Sequence, residues 1–93
     1  MRALNAINAG GLSALSEEVV SVICAIAKIQ RLSSDQDFYD AGLSSMASLT
    51  LMLDLETRYK VTLPDEQFVM CRTADQVSSL ISDLLYPTHN GAV

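Results

Sequence analysis

The stretch SMASLTLMLDLETRYK, residues 45–60, carries more apolar side chains than a helix at the protein surface needs. A helix that is apolar around much of its circumference is typical of a central position in a helical bundle. We therefore expect this helix to be covered by others and to close an aliphatic core. The apolar residues form two stripes at helical spacing, Met46, Leu49, Met52 and Leu53 in one and Leu51, Leu55 and Tyr59 in the other. The expected core combines Leu49, Met52 and Leu53 with Leu80 and Ile81 of a later segment.

A second helix is predicted in SALSEEVVSVICAIAKIQRL, residues 13–32. Either Ser13 or Ser16 could cap its start, and acids directly after them suit the positive end of the helix dipole. Basic residues are favoured at the other end. The apolar positions with helical spacing are Leu15, Val19, Val22, Ile23, Ile26 and Ile29, and the end-specific charges are Glu17, Glu18, Lys28 and Arg31.

The third long helix is predicted in TADQVSSLISDLLYP, residues 73–87. Thr73 and Gln76 form a T-x-x-Q capping box, and Pro87 stops the helix. Pro64 precedes a short helical turn over residues 65–70. A loop over residues 33–43 is expected to be held by Phe38 and Tyr39. The predicted buried stripe of the last helix is Val77, Leu80, Ile81 and Leu84.

These segments predict an all-α fold, a small four-helix bundle of three main helices and one short helix. The 93 residues suit one domain. We expect a single domain over residues 1–93, with an ordered core at about 13–86 and flexible tails at 1–12 and 88–93.

Charge and composition narrow the possible functions. Eleven acids against six bases give a net charge of −5, which disfavours nucleic acid as a partner. No apolar run approaches the ~20 residues of a membrane span, and the apolar start is too short for a signal peptide. We expect a cytoplasmic monomer without membrane contact. Cys24 is expected to be a small buried hydrophobe. Neither Cys24 nor Cys71 has a second Cys or a His at the spacing of metal ligands, and His89 lies in the tail. No metal is therefore expected.

The paired serines before the central helix have different predicted roles. Ser44 directly precedes the helix and is predicted to cap it, while Gly42 allows a sharp entry. Ser45 then falls on the first helical position, where its side chain is expected to face outward at the corner between loop and helix and has no predicted structural role. A hydrolase would need G-x-S-x-G and a nearby base, and neither is present, so no catalytic residue is predicted. From the spacing alone, Ser45 is either part of a polar helix start or an acceptor modified by another enzyme.

The stretch DFYDAGLSSMASLTLMLDLETRYKVTLPDE, residues 37–66, resembles the acyl and peptidyl carrier protein family. Members show an aromatic-bearing loop, then D-x-G-x-D-S-L, a helix ending near an aromatic residue and a short V-x-L-P/F-D segment. The resemblance covers most of the chain, because the first and last helices also lie where that fold has them. It implies that Ser45 carries a 4'-phosphopantetheine arm, transferred from coenzyme A by a phosphopantetheinyl transferase, and that the arm's thiol holds cargo as a thioester. The protein itself would then be no enzyme.

Two departures from the family pattern bear on the partners. The family's aspartate before the modified serine corresponds to Ser44, and Ala47, Ser48 and Thr50 stand where acids are usual. Docking to basic patches of fatty-acid enzymes should therefore be weak. The G-L-S-S sequence looks more like stand-alone aminoacyl carrier proteins, which are loaded by seryl-tRNA-synthetase-like amino acid:[carrier protein] ligases.

This resemblance implies a small apolar contact patch for partners at Leu43, Met46 and Ala47. The cargo would be a small amino acid, and the downstream acceptor enzyme is not specified by the sequence. Two alternatives stay open. One is a generic acyl carrier of fatty-acid, polyketide or nonribosomal-peptide type, served by another acyl-loading enzyme. The other is a helical protein-interaction module without a covalent cofactor.

Overall fold

Helix α1 spans Arg2–Ala27 and packs against two later long helices, which begin at Ser45 and at Ala74. The structure, a computed structural model, describes the backbone of residues 2–86 and the side chains of residues 14–86. The predicted helix start at Ser13 or Ser16 was wrong, because the two glycines at 10 and 11 lie inside the helix. Glycine costs a helix only about 1 kcal/mol relative to alanine, which packing can offset.

Ser16 therefore caps nothing and is instead buried in the middle of α1. Its Oγ donates a hydrogen bond of 2.9 Å to Asp75 Oδ1. Helix α1 ends at Ala27, so Lys28 and Arg31 lie beyond the last turn rather than in it. Lys28 adopts a left-handed conformation with φ 59°, and Ile29 N donates to Cys24 O over 3.0 Å. This is the hydrogen bond of a Schellman ending, usually made with glycine.

Four further helices follow within the described residues, two long and two short. Helix α2 spans Phe38–Ala41, α3 spans Ser45–Tyr59, α4 spans Asp65–Phe68 and α5 spans Ala74–Leu85. The all-α prediction is confirmed, with α2 as a second short helix inside the predicted loop. The buried Phe38 and half-buried Tyr39 hold this segment as expected. The predicted tail 88–93 and Pro87 lie outside the described residues.

Caps explain where α5 begins. Thr73 Oγ1 accepts from Gln76 N over 3.1 Å, as the capping box predicted. Gln76 Oε1 reaches one residue further back than in the usual box and accepts from Arg72 N over 2.7 Å. At the end of α3, Lys60 repeats the left-handed ending with φ 55°, and Val61 N donates to Glu56 O over 3.2 Å.

The core lies where α1, α3 and α5 meet, closed by the short helices and loops. Two predicted core residues were wrong, since Leu49 and Leu53 are each 58% exposed. Leu84 also lies at the surface, and Cys24 is half-buried. Ser48, Leu51 and Leu55 form the buried face of α3 instead. The buried apolar residues are Val19, Val22, Ile23, Phe38, Leu43, Leu51, Leu55, Leu63, Phe68, Cys71, Ala74, Val77, Leu80 and Ile81.

Tyr59 fastens the end of α3 to α1. Its hydroxyl donates a hydrogen bond to Glu18 Oε1. Burial, together with the neighbouring carboxylate, raises the pKa of Tyr59 to about 12, so the hydroxyl keeps its proton in the neutral range. This contact holds the end of α3 that lies opposite Ser45.

Candidate attachment site at the start of helix α3

The backbone turns sharply between α2 and α3, and the turn depends on Gly42. Its φ of 132° lies in a region that residues with a side chain rarely adopt. A Cβ at this position would meet Ile29 side-chain atoms only at 3.7 Å, so the conformation rather than lack of space requires glycine. Leu43 N donates to Phe38 O over 2.9 Å, which closes the turn and brings the chain to the start of α3.

Ser44 is the N-cap of α3, as predicted. Its backbone is extended, with φ −82° and ψ 163°, and its Oγ accepts from Ala47 N over 3.0 Å. The Ser44 carbonyl accepts from Ser48 N over 3.0 Å and begins the helical hydrogen bonds. The hydroxyl and carbonyl of Ser44 are thus both engaged in starting the helix.

Ser45 occupies the first helical position and is exposed. Within residues 14–86 its Oγ takes part in no hydrogen bond, although its carbonyl accepts from Ser48 Oγ over 2.6 Å. The free N–H groups of a first helical turn attract phosphate. An exposed hydroxyl beside such groups has the right chemistry to be esterified by a phosphate-bearing group.

Only part of the predicted contact patch of Leu43, Met46 and Ala47 lies at the surface. Met46 is 80% exposed, and Ala47 is half-buried. Leu43 was wrongly expected at the surface, because it is 3% exposed and anchors the turn in the core. Leu49 and Leu53 extend the exposed apolar surface along α3 from Met46. We call Met46, Leu49 and Leu53 the apolar face of α3.

The two cysteines offer no ready substitute for a carrier thiol. Cys71 is buried, its Sγ donates to Gln67 O at 3.5 Å, and burial raises the pKa of its thiol. A protonated, enclosed thiol is a poor nucleophile. Cys24 lines a surface cavity of about 550 Å³ between α1 and the segment after it. That cavity is lined by α1 and residues 30–34, not by the residues around Ser45.

A cluster around Asp37 holds the segment that leads into residues 42–45, which we call the attachment corner, and sequence analysis missed this cluster. Asp37 Oδ1 accepts from Tyr39 N and Asp40 N, at 2.8 and 3.1 Å, and caps α2. Asp37 Oδ2 accepts from Arg72 Nε over 2.6 Å. The Arg72 guanidinium therefore holds the pKa of the Asp37 carboxyl below its usual range. The Asp before an aromatic pair was a possible capping signal, but nothing local in the sequence connects it to Arg72.

Within the described residues, no group of three or more His, Cys, Asp or Glu side chains could hold a metal ion. None of the described helices is long and apolar enough to cross a membrane. His89 lies outside the part of the chain that the structure describes.

Residues 17–81 match the protein family described as "Phosphopantetheine attachment site". The chain is also 34% identical, over 55 residues, to a D-alanyl carrier protein of Streptococcus suis (strain 05ZYH33). That similarity covers 56% of this chain and 70% of the relative. No solved structure matches the chain significantly.

The chain thus belongs to the phosphopantetheine attachment family, and it is a carrier protein rather than an enzyme. Its cofactor is 4'-phosphopantetheine, which argues against the interaction module without a covalent group. Membership implies partners of two kinds, a phosphopantetheinyl transferase and an enzyme that loads the arm.

Proposed function

We propose that this protein is an aminoacyl carrier whose 4'-phosphopantetheine is attached to Ser45. One observation carries the assignment of the residue. Ser44 uses its hydroxyl to accept from Ala47 N, whereas the neighbouring Ser45 hydroxyl is exposed and has no partner within residues 14–86. Esterification of Ser45 would leave the helix cap intact, and esterification of Ser44 would remove it.

The surroundings of Ser45 favour binding of the phosphate more than activation of the hydroxyl. The first turn of α3 contains no acid, so no carboxylate there repels a phosphodiester. The helix dipole and free N–H groups stabilise negative charge at this end. The described residues supply no histidine as a base, and the transferase would therefore remove the Ser45 proton. When attached, the group supplies a flexible arm ending in a thiol that forms thioesters.

A small amino acid is the cargo that the chain supports best. The similar protein from Streptococcus suis is a D-alanyl carrier by name. The buried side chains of Leu51, Leu55 and Ile81 are fully enclosed in the core. A small amino acid at the end of the arm needs no space among them. An amino acid:[carrier protein] ligase is therefore the proposed loading enzyme.

Intact-mass measurement tests the attachment residue. The protein is incubated with coenzyme A and a phosphopantetheinyl transferase, and the expected result is one added phosphopantetheine. Ser45→Ala should abolish the mass gain and keep its helical content by circular dichroism. Ser44→Ala is the matched control and should still be modified. Modification of Ser45→Ala together with loss in Ser44→Ala would overturn the assignment.

Parallel loading of one holo sample tests the cargo. An amino acid:[carrier protein] ligase with ATP and amino acids should form a thioester, while long-chain fatty-acyl loading enzymes should act poorly. Efficient fatty acylation without any aminoacylation would favour the generic acyl carrier instead.

We further propose that loading partners contact Met46 and Ala47, with Leu43 acting from the core as the anchor of the turn. The protein is proposed to act as a cytoplasmic monomer.

A further inference from the structure

We propose that Arg72 is a positioning residue for Ser45, acting through Asp37 and helix α2. This inference rests on the proposed attachment at Ser45. Arg72 lies in the connection before α5, and it is separated from Asp37 by 35 residues of sequence. The fold brings the two together, so that a residue outside the attachment motif holds the segment that leads into it.

The first step of the argument is the contact between Arg72 and Asp37. The Nε–Oδ2 distance is 2.6 Å, and the same carboxylate caps α2 through Tyr39 N and Asp40 N. The Arg72 guanidinium also lies over the Tyr39 ring, 5.1 Å from its centroid. One cation therefore fixes both the cap of α2 and an aromatic side chain within it.

Backbone hydrogen bonds reinforce the same connection. Phe38 N donates to Arg72 O over 2.9 Å, and Asp75 N donates to Ser34 O over 2.9 Å. These bonds tie the segment before α2 to the start of α5, and α5 packs on α1. Helix α2 is thus held against the rigid part of the bundle by Arg72 and its neighbours.

The last step leads from α2 to Ser45. Helix α2 has only four residues and could not persist alone. Gly42 N donates to Tyr39 O over 3.2 Å, and Leu43 N donates to Phe38 O over 2.9 Å, so the turn is built on α2. Ser45 follows Leu43 by two residues. Loosening α2 should therefore release the turn and reduce the fraction of molecules that present Ser45 in its helical position.

The Arg72 side chain is 56% exposed and that of Asp37 is 26% exposed. Exposed ion pairs contribute little to global stability. The loss of this pair is therefore expected to act mainly at the attachment corner, with only a small decrease in the melting temperature of the bundle.

The test compares Arg72→Gln with Arg58→Gln. Arg58 pairs with Asp54 at 3.9 Å near the far end of α3, so the control loses the same charge and another surface ion pair. Amide hydrogen exchange is measured by NMR on the unmodified protein, and transferase kinetics are measured on the same samples. In Arg72→Gln the Leu43 amide should exchange faster, and the KM for the carrier should rise about two- to fivefold with kcat unchanged.

Two more variants separate positioning from general destabilisation. Asp37→Asn keeps a cap oxygen but loses the ion pair, and it should reproduce the Arg72→Gln result. Arg72→Lys restores a cation and should bring the KM part of the way back to the wild-type value. Equal Leu43 exchange and equal KM in wild type and Arg72→Gln, or the same change in Arg58→Gln, would overturn the inference. Absence of modification in the wild type would instead overturn the attachment at Ser45, and Leu43 exchange would still decide whether Arg72 holds the turn.

Discussion

Ser44 and Ser45 are identical residues one peptide bond apart, yet the start of α3 gives them different chemistry. Ser44 has extended backbone angles, so its side chain can turn back to Ala47 N, while Ser45 is already helical and faces solvent. This difference could be predicted from sequence, because a cap is defined by its position relative to the apolar repeat. The outward direction of Ser45 was predicted from the same position, at the corner between loop and helix, and Ser45 is exposed in the structure.

The cap role of Ser44 predicts the stability of two variants. Ser44→Ala leaves Ala47 N without its partner and should lower the free energy of unfolding by about 1 kcal/mol. Ser44→Asp should be tolerated or slightly stabilising, because aspartate also caps and adds negative charge at the positive end of the dipole. Urea unfolding of the three proteins checks this. A strongly destabilised Ser44→Asp would contradict the cap.

Ser78 is a polar residue in an apolar place. It is 0% exposed in α5, and its Oγ has no hydrogen-bond partner among the described residues. Replacing it by alanine removes an unsatisfied hydroxyl and improves helix propensity. Ser78→Ala should therefore raise the free energy of unfolding by about 1 to 2 kcal/mol.

The neighbouring Ser79 provides the control, because it is exposed on the same helix. Ser79→Ala changes propensity alone and should gain only about 0.5 kcal/mol. Urea unfolding gives both values. Loss of stability in Ser78→Ala would show that this hydroxyl has a partner in solution.

At the scale of elements, α2 is the part of the fold that sequence analysis could not predict. Four residues are too few to show a helical period, and the segment is held by Arg72, far away in the sequence. Periodicity predicted α3 itself but not which of its stripes is buried. Both stripes are apolar, and the choice depends on where α1 and α5 lie.

The ion pair that holds α2 makes one contribution to stability depend on pH. The Arg72 guanidinium lowers the pKa of Asp37 from the ordinary value of 3.8. A carboxyl with a lowered folded-state pKa contributes stability above the ordinary value, and the contribution is lost as pH falls through the folded-state pKa. Wild type should thus lose its advantage over Asp37→Asn as the pH falls below about 3.8.

Thermal melts from neutral to acid pH check this dependence. Arg72→Gln should behave like Asp37→Asn, since either change removes the pair. The melting temperatures of the three proteins should converge at the acid end. A difference between wild type and Asp37→Asn that grows as pH falls would contradict the sign.

For the molecule as a whole, three long helices, two of their caps and much of the core could be predicted from spacing and capping residues. Predictions failed where burial depends on tertiary arrangement, as for Leu49 and Leu53 on α3 and Leu84 on α5. The prediction of where α1 begins failed for another reason, because glycines at 10 and 11 suggested a break that the helix does not have.

The apolar face of α3 predicts how partners respond to salt. The first acid of α3 is Asp54, nine residues after Ser45, so docking near Ser45 should depend on apolar contact. Adding enough salt to shorten the Debye length from about 10 Å to about 3 Å should change the KM for loading by no more than about twofold from its low-salt value. A steep rise in KM with salt would point to docking through charges instead.

Leu49→Ser tests the same face directly. Leu49 is 58% exposed, and Leu84, which is 36% exposed on α5, is the matched control. The loading KM should rise in Leu49→Ser and stay unchanged in Leu84→Ser, with both proteins folded by circular dichroism. Equal KM values for both variants would contradict docking at the apolar face.

The left-handed endings of α1 and α3 are two positions at which substitution should raise the thermal stability of the protein. Lys28 and Lys60 both adopt positive φ, where glycine relieves a cost of about 1 kcal/mol per site. A domain of this size has a total stability of roughly 5 to 14 kcal/mol. Lys28→Gly combined with Lys60→Gly should therefore raise the melting temperature by several degrees, as differential scanning calorimetry would measure. The carrier could thus be made more stable at higher temperature without changing any residue of the attachment corner.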